Sequence, residues 1–124
     1  MAAQELPATM RVDADGILVF HYQPGCEVDI HNAREVVAEA STLVDRPHPT
    51  LILFDGARSV SREARHFFAT SAENRALCSR VAMLIGSPVS RVIGNFFLGL
   101  NRTSFPIRLF DDESSARAWL RESA

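Results

Sequence analysis

The stretch Thr50 to Phe68, Thr-Leu-Ile-Leu-Phe-Asp-Gly-Ala-Arg-Ser-Val-Ser-Arg-Glu-Ala-Arg-His-Phe-Phe, constrains the fold more than any other part of the chain. A short apolar run, Leu51 to Phe54, stops at Asp55-Gly56; a polar loop follows, and a helical period begins near Ser61. A brief apolar run bounded by turn formers suits a buried strand. A strand, a turn at its C-terminal end and a helix folding back on the sheet form the unit of an α/β domain. In open sheets of that kind, the crevice beyond the strand ends is the usual place for a site.

The rest of the chain supplies the neighbours. Residues 1–8 carry no pattern and read as a disordered tail ahead of one domain over 9–124. Met10 to Asp13 and Ile17 to Tyr22 read as strands around Ala14-Asp15-Gly16, because Asp-Gly tolerates the positive φ of a tight hairpin. Asp29 is an N-cap candidate for a helix with Ile30, Ala33, Val36, Val37, Ala40, Leu43 and Val44 on one face. Pro47 and Pro49 end it near Val44. A second helix begins near Arg62 with Ala64, Phe67 and Phe68 inward, breaks around Thr70-Ser71, and continues a turn or two through Leu77.

Val81 to Ile85, bounded by Gly86, reads as a second central strand. Ser87-Pro88 reads as a helix start, with serine capping and proline at the first position. Val89, Val92, Ile93, Phe96, Phe97 and Leu100 follow at helical spacing. That apolar arc is wide enough to suit either core packing or contact with a second subunit or apolar ligand. Ile107 to Phe110 is a last strand, and Asp111 or Asp112 caps a closing helix with Ala116, Trp119 and Leu120. The order ββαβαβαβα gives the fold class: α/β, with a mixed, mostly parallel five-stranded sheet opened by an antiparallel hairpin.

Composition narrows the function. A net charge of −2 gives no electrostatic case for nucleic acid or an anionic membrane surface. All 13 basic side chains are arginine, so lysine Schiff-base chemistry is excluded. Cys26 and Cys78 stand apart, without metal-ligand spacing, which suits a reducing cytoplasm. The start lacks a secretory pattern, and no apolar run approaches the ~20 residues that span a bilayer. His21, His31, His48 and His66 are scattered, and neither a cofactor fingerprint nor a nucleophile elbow occurs. The expectation is therefore a cytoplasmic protein without cofactor, metal site or catalytic motif.

Several stretches together carry a family likeness: Asp15-Gly16-Ile17 at the hairpin, Phe54-Asp55 followed by Glu63-Ala64-Arg65, the run Val81 to Phe97, and Pro106 to Phe110 with the closing Ala-Trp-Leu. From about residue 10 onward the chain resembles the STAS domain, the fold of the sporulation anti-sigma-factor antagonists (SpoIIAA-like), also found at the end of sulfate transporters. More closely, it resembles a bacterial family of uncharacterised STAS-like (SEC14/STAS-type) proteins. The resemblance implies a regulatory, protein-interacting module rather than an enzyme. In the antagonists, the loop after the central strand carries an Asp-Ser-Ser-Gly motif whose serine a partner kinase phosphorylates. The equivalent loop here, Ala57 to Glu63, has serines without that string, so Ser59 and Ser61 are the candidate phosphoacceptors.

Two groups of side chains are the site candidates. Ser61 reads as an N-cap, or as an acceptor whose phosphate would meet free N–H groups, the helix dipole, and Arg58, Arg62 and Arg65. Ser87, Ser90 and Arg91 begin a helix at the same end of a parallel sheet, where an anion or partner could bind. Asp55 reads as a turn former or as a carboxylate at the crevice edge. The leading expectation is a homo-oligomeric interaction module with a protein partner. The alternative is a carrier or sensor of a small apolar or anionic ligand, which would need an enclosed pocket walled by Phe67, Phe68, Phe96 or Phe97. An enzyme would need a base such as His66 within reach of Ser59, Ser61 or Asp55.

Overall fold

The computed structural model describes residues 6–54, 58–86, 88, 91–92, 95 and 105–122. In chain order its elements are β1 (Ala8–Val12), β2 (Leu18–Tyr22), β3 (Glu27–Val28), α1 (Ile30–Ala40), β4 (His48–Leu53), β5 (Ser59–Val60), α2 (Arg62–Thr70), α3 (Ala72–Arg75), β6 (Cys78–Leu84), β7 (Ile107–Phe110) and α4 (Glu113–Arg121). Five strands form one mixed sheet in the order β1-β2-β4-β6-β7, antiparallel at β1–β2 and parallel from β2 onward. This is the α/β sheet expected from the sequence. A second, two-stranded parallel sheet, β3–β5, was not expected.

The hairpin forms where Asp-Gly placed it, by a different route. Of the turn residues Ala14, Asp15 and Gly16, only Gly16 has positive φ, at 77°. Asp13 organises the turn instead: its carboxylate accepts from the N–H groups of Asp15 (3.0 Å) and Ile17 (3.1 Å), while its own N–H donates to Ile17 O at 3.0 Å. β1 begins at Ala8, ahead of the expected Met10, and Gln23 N–H donates to Pro7 O at 2.8 Å.

Beyond β2 the strands advance across the sheet in one direction. Right-handed crossovers then put α1, α2 and α3 on the same face. Asp29 caps α1 in a reciprocal box, accepting from Asn32 N–H at 2.8 Å while Asn32 Oδ1 accepts from Asp29 N–H at 3.0 Å. The helix stops at Ala40, short of the expected Val44. The Ser41 and Thr42 hydroxyls donate to the carbonyls of Ala38 (2.6 Å) and Glu39 (2.7 Å), competing with further helical bonds. The break after α2 falls at Ser71, whose ψ of 143° is extended and whose hydroxyl caps α3. β4 starts at His48 and includes Pro49, at a register irregularity with β6 where a missing N–H is tolerated.

Two apolar clusters sandwich the sheet. The larger packs Leu18, Phe20, Val81 and Met83 against Val36, Val37, Ala40, Ala64 and Ala69 of the α1–α3 layer. The smaller joins Ile17, Val19, Leu51 and Ala82 to Ala116 and Leu120 of α4. Asp112 caps α4, accepting from Ser115 N–H at 2.8 Å. Among the described residues no helix is long and apolar enough to cross a membrane. In the stretch expected to form a helix from Ser87, the residues Ser87, Val89, Ser90, Ile93, Phe96, Phe97 and Leu100 lie outside the described set; Val92 is exposed.

Candidate functional site

At the C-terminal edge of the sheet β4 gives way to Phe54, which is buried with its ring edge-on to Tyr22 (5.2 Å between centroids). Asp55, the crevice carboxylate of the sequence reading, lies outside the described residues, with Gly56 and Ala57. From Arg58 the chain is pinned by β3: the N–H groups of Arg58 and Ser59 both donate to Cys26 O, at 2.8 and 3.3 Å, and Ser61 N–H donates to Val28 O at 2.8 Å. Val28 and Val60 are buried and fasten this short ladder to the core. Strand alternation therefore turns Ser59 outward, and it is exposed.

Ser61 serves as the α2 N-cap, its Oγ accepting from Ala64 N–H at 3.1 Å. Arg58 and Arg62 are exposed beside it. Arg65 turns back instead, donating from Nη1 to Val60 O at 2.7 Å, and braces the β5–α2 corner. Arg91 is held by Asp111, Nη2 to Oδ1 at 2.6 Å, on the side of the sheet where β7 ends. Ser87 and Ser90, its companions in the sequence reading, lie outside the described residues. The structure thus brings together Arg58, Ser59, Ser61, Arg62 and Arg65. Arg91 is engaged elsewhere.

The His66 ring makes no hydrogen bond to Ser59 or Ser61 among the described residues, and His66 is exposed. Burial pushes the Cys78 thiol up to about 11, and burial likewise raises the half-buried Cys26. Neither is a ready thiolate at neutral pH. Burial also lifts the Tyr22 phenol well above its ordinary value. Among the described residues no three His, Cys, Asp or Glu side chains gather as metal ligands would.

Two concave features flank this corner. Inside, an apolar cavity of about 40 Å³ sits between the sheet and the α2–α3 layer, with Tyr22, Phe54, Phe68, Cys78, Met83 and Phe105 in its wall. Phe68 thus faces it as the carrier reading required, but room for roughly three water-sized spheres falls well short of the ~300 Å³ at which small-molecule pockets begin. Outside, an open groove of about 740 Å³ runs between α1 and α2 over Ile30 and Phe67, rimmed by Arg34, Arg62, Glu63 and His66. The sequence reading missed this groove. Phe67, expected to face inward, is only half-buried and forms part of its floor, 5.9 Å from the Arg34 guanidinium.

The folded class agrees with known structures. The chain is similar, with a TM-score of 0.59 and 17% identity, to an uncharacterized protein of the DUF3478 family with a SpoIIAA-like fold from Shewanella loihica PV-4. The match covers 97% of this chain and 98% of that one. The fold is therefore SpoIIAA-like, the STAS-like architecture that the sequence resemblance implied. Residues 10–124 match the family described as Domain of unknown function (DUF7793), and the chain belongs to that family. A protein with unknown function from Arthrobacter sp. FB24 is 33% identical over 97% of this chain and 96% of its own, with a TM-score of 0.35. No curated protein matches the chain.

Proposed function

We propose that this chain is a non-enzymatic regulatory module of the cytoplasm that binds a protein partner through the shoulder of Arg58, Ser59 and Arg62 and the adjoining faces of α1 and α2. The observation that carries the reading is a contrast in volume. The open groove measures about 740 Å³ and has a charged rim, whereas the interior cavity measures about 40 Å³. An exposed, amphipathic concavity fits a macromolecule; the cavity would have to grow several-fold to enclose a metabolite. The carrier of a small apolar or anionic ligand is the second reading, favoured by the apolar lining of that cavity alone.

Phosphorylation fits the same shoulder. Ser59 is exposed between Arg58 and the α2 start, whereas Ser61 already caps the helix, so Ser59 is the better acceptor of the two. A phosphate there would add charge beside two exposed guanidinium groups and change what the shoulder binds.

The test is a native mass spectrum of the chain isolated from its own organism. The reading predicts a stoichiometric polypeptide mass on the chain or on its homo-oligomer, lost when Arg58 and Arg62 are both replaced by glutamate. Any phosphate should disappear in Ser59→Ala. A retained small-molecule mass without a protein partner would overturn the reading in favour of the carrier.

A further inference from the structure

The groove over Ile30 and Phe67 does not end at α2. A second concavity of about 610 Å³ continues it past Val37, Val44 and Leu77, and Arg34 and Phe67 line both. Together they form one channel with an apolar floor along α1. The 11 residues of α1 give it a length of about 16 Å, about three turns of helix.

The rim is unlike at its two ends. Around the first concavity two guanidinium groups, Arg62 and the shared Arg34, outnumber Glu63. At the far end stand Glu73 and Asp45, the latter 3.6 Å from the exposed Arg46 guanidinium. An α-helix laid in the channel carries partial positive charge at its N-terminus and negative charge at its C-terminus. Its C-terminal turn is therefore complementary to the arginine end and its N-terminal turn to Glu73. An extended peptide would seek a strand edge to pair with, and helix side chains rather than strand backbone form these walls.

We propose that this channel docks an amphipathic α-helix of the partner, its apolar stripe on Ile30, Phe67 and Val44 and an acidic C-terminal turn against Arg34 and Arg62. The proposal rests on the interaction-module reading and adds the chemistry and direction of the partner segment.

The test is a titration of the full chain by fluorescence anisotropy with two labelled peptides of about 14 residues sharing one leucine stripe, both hydrocarbon-stapled so that their end charges do not decide helicity. One carries glutamates in its last turn and arginines in its first; the other is reversed. The first should bind at least about fivefold more tightly, with the difference shrinking as salt rises. Arg34→Glu combined with Arg62→Glu should abolish that preference. Both side chains are exposed, so the variant should keep the fold, as a thermal melt would verify. Phe67→Ala should weaken both peptides. Equal affinities, a preference that survives the double substitution, or no binding by either peptide would overturn the proposal. None of those outcomes removes a native complex, whose presence or absence decides the interaction reading separately.

Discussion

The two faces of the sheet are closed in different ways. On one, α4 is clasped by charge. Arg117 of α4 donates from Nη1 to Asp13 Oδ2 at 2.6 Å and from Nε to Glu113 at 2.8 Å, and Arg121 reaches Asp15 at 3.2 Å. Arg80 of β6 lies 4.4 Å from the Trp119 ring centre and donates to Trp119 O at 2.9 Å. On the other face, α1 and α2 are fixed by end caps and small buried residues, and they leave a half-buried Phe67 and exposed arginines along an open groove. A face fastened to its own chain has few groups left to offer. We propose that the α4 face serves stability and the α1–α2 face recognition.

The largest expected effect probes that division through packing. Leu120, on the inner face of α4, is fully buried, and Leu120→Ala should cost about 3 kcal/mol in chemical denaturation. Peptide binding by the folded variant should stay unchanged. If it falls too, the faces are coupled and the division fails.

Next comes the clasp. Burial alone would raise the Asp13 carboxyl, but the Arg117 hydrogen bond, with the N–H groups of Ile17 and Asp15, outweighs it and holds the group below its ordinary value. Asp13→Ala should therefore cost about 2 kcal/mol at neutral pH. A depressed carboxylate stabilises the fold above its unfolded pKa and ceases to do so as pH falls through the native one. The gap between wild type and variant should thus be full above about pH 5 and close in strong acid. Denaturant midpoints measured at neutral and strongly acidic pH check it; a constant gap would contradict the assignment.

How much of this was legible beforehand differs by element. Periodicity and capping residues act within a few positions, so the five main strands, the break at Ser71, and the caps Asp29 and Ser61 could be read directly, with Asp112 one of two candidates for the last cap. β3 and β5 could not, because two residues each show no period. The Arg117–Asp13 contact joins positions 104 apart, with no local signal. The basic cluster around α2 was visible in order along the chain, but not that Arg65 folds back on Val60 or that Arg91 pairs with Asp111. The groove depends on how two helices meet, and Phe67 at helical spacing reads as core.

Smaller effects sharpen the same contrast within the recognition face. Ser61→Ala removes an N-cap and should cost about 1 kcal/mol. Ser59→Ala, at an exposed strand position, should change stability by less than about 0.5 kcal/mol while altering partner binding. Thermal melts paired with binding titrations separate the two serines. Arg62→Glu should likewise leave stability within about 0.5 kcal/mol and still weaken the native complex, whereas Arg11→Glu on exposed β1 should do neither.

The most direct test is the amide hydrogen-exchange footprint of the native complex against the free chain. The account predicts slowed exchange in α1 (Ile30–Ala40) and α2 (Arg62–Thr70), with α4 unchanged. Protection confined to α4 or to the β1 edge, with α1 and α2 exchanging as in the free chain, would contradict it.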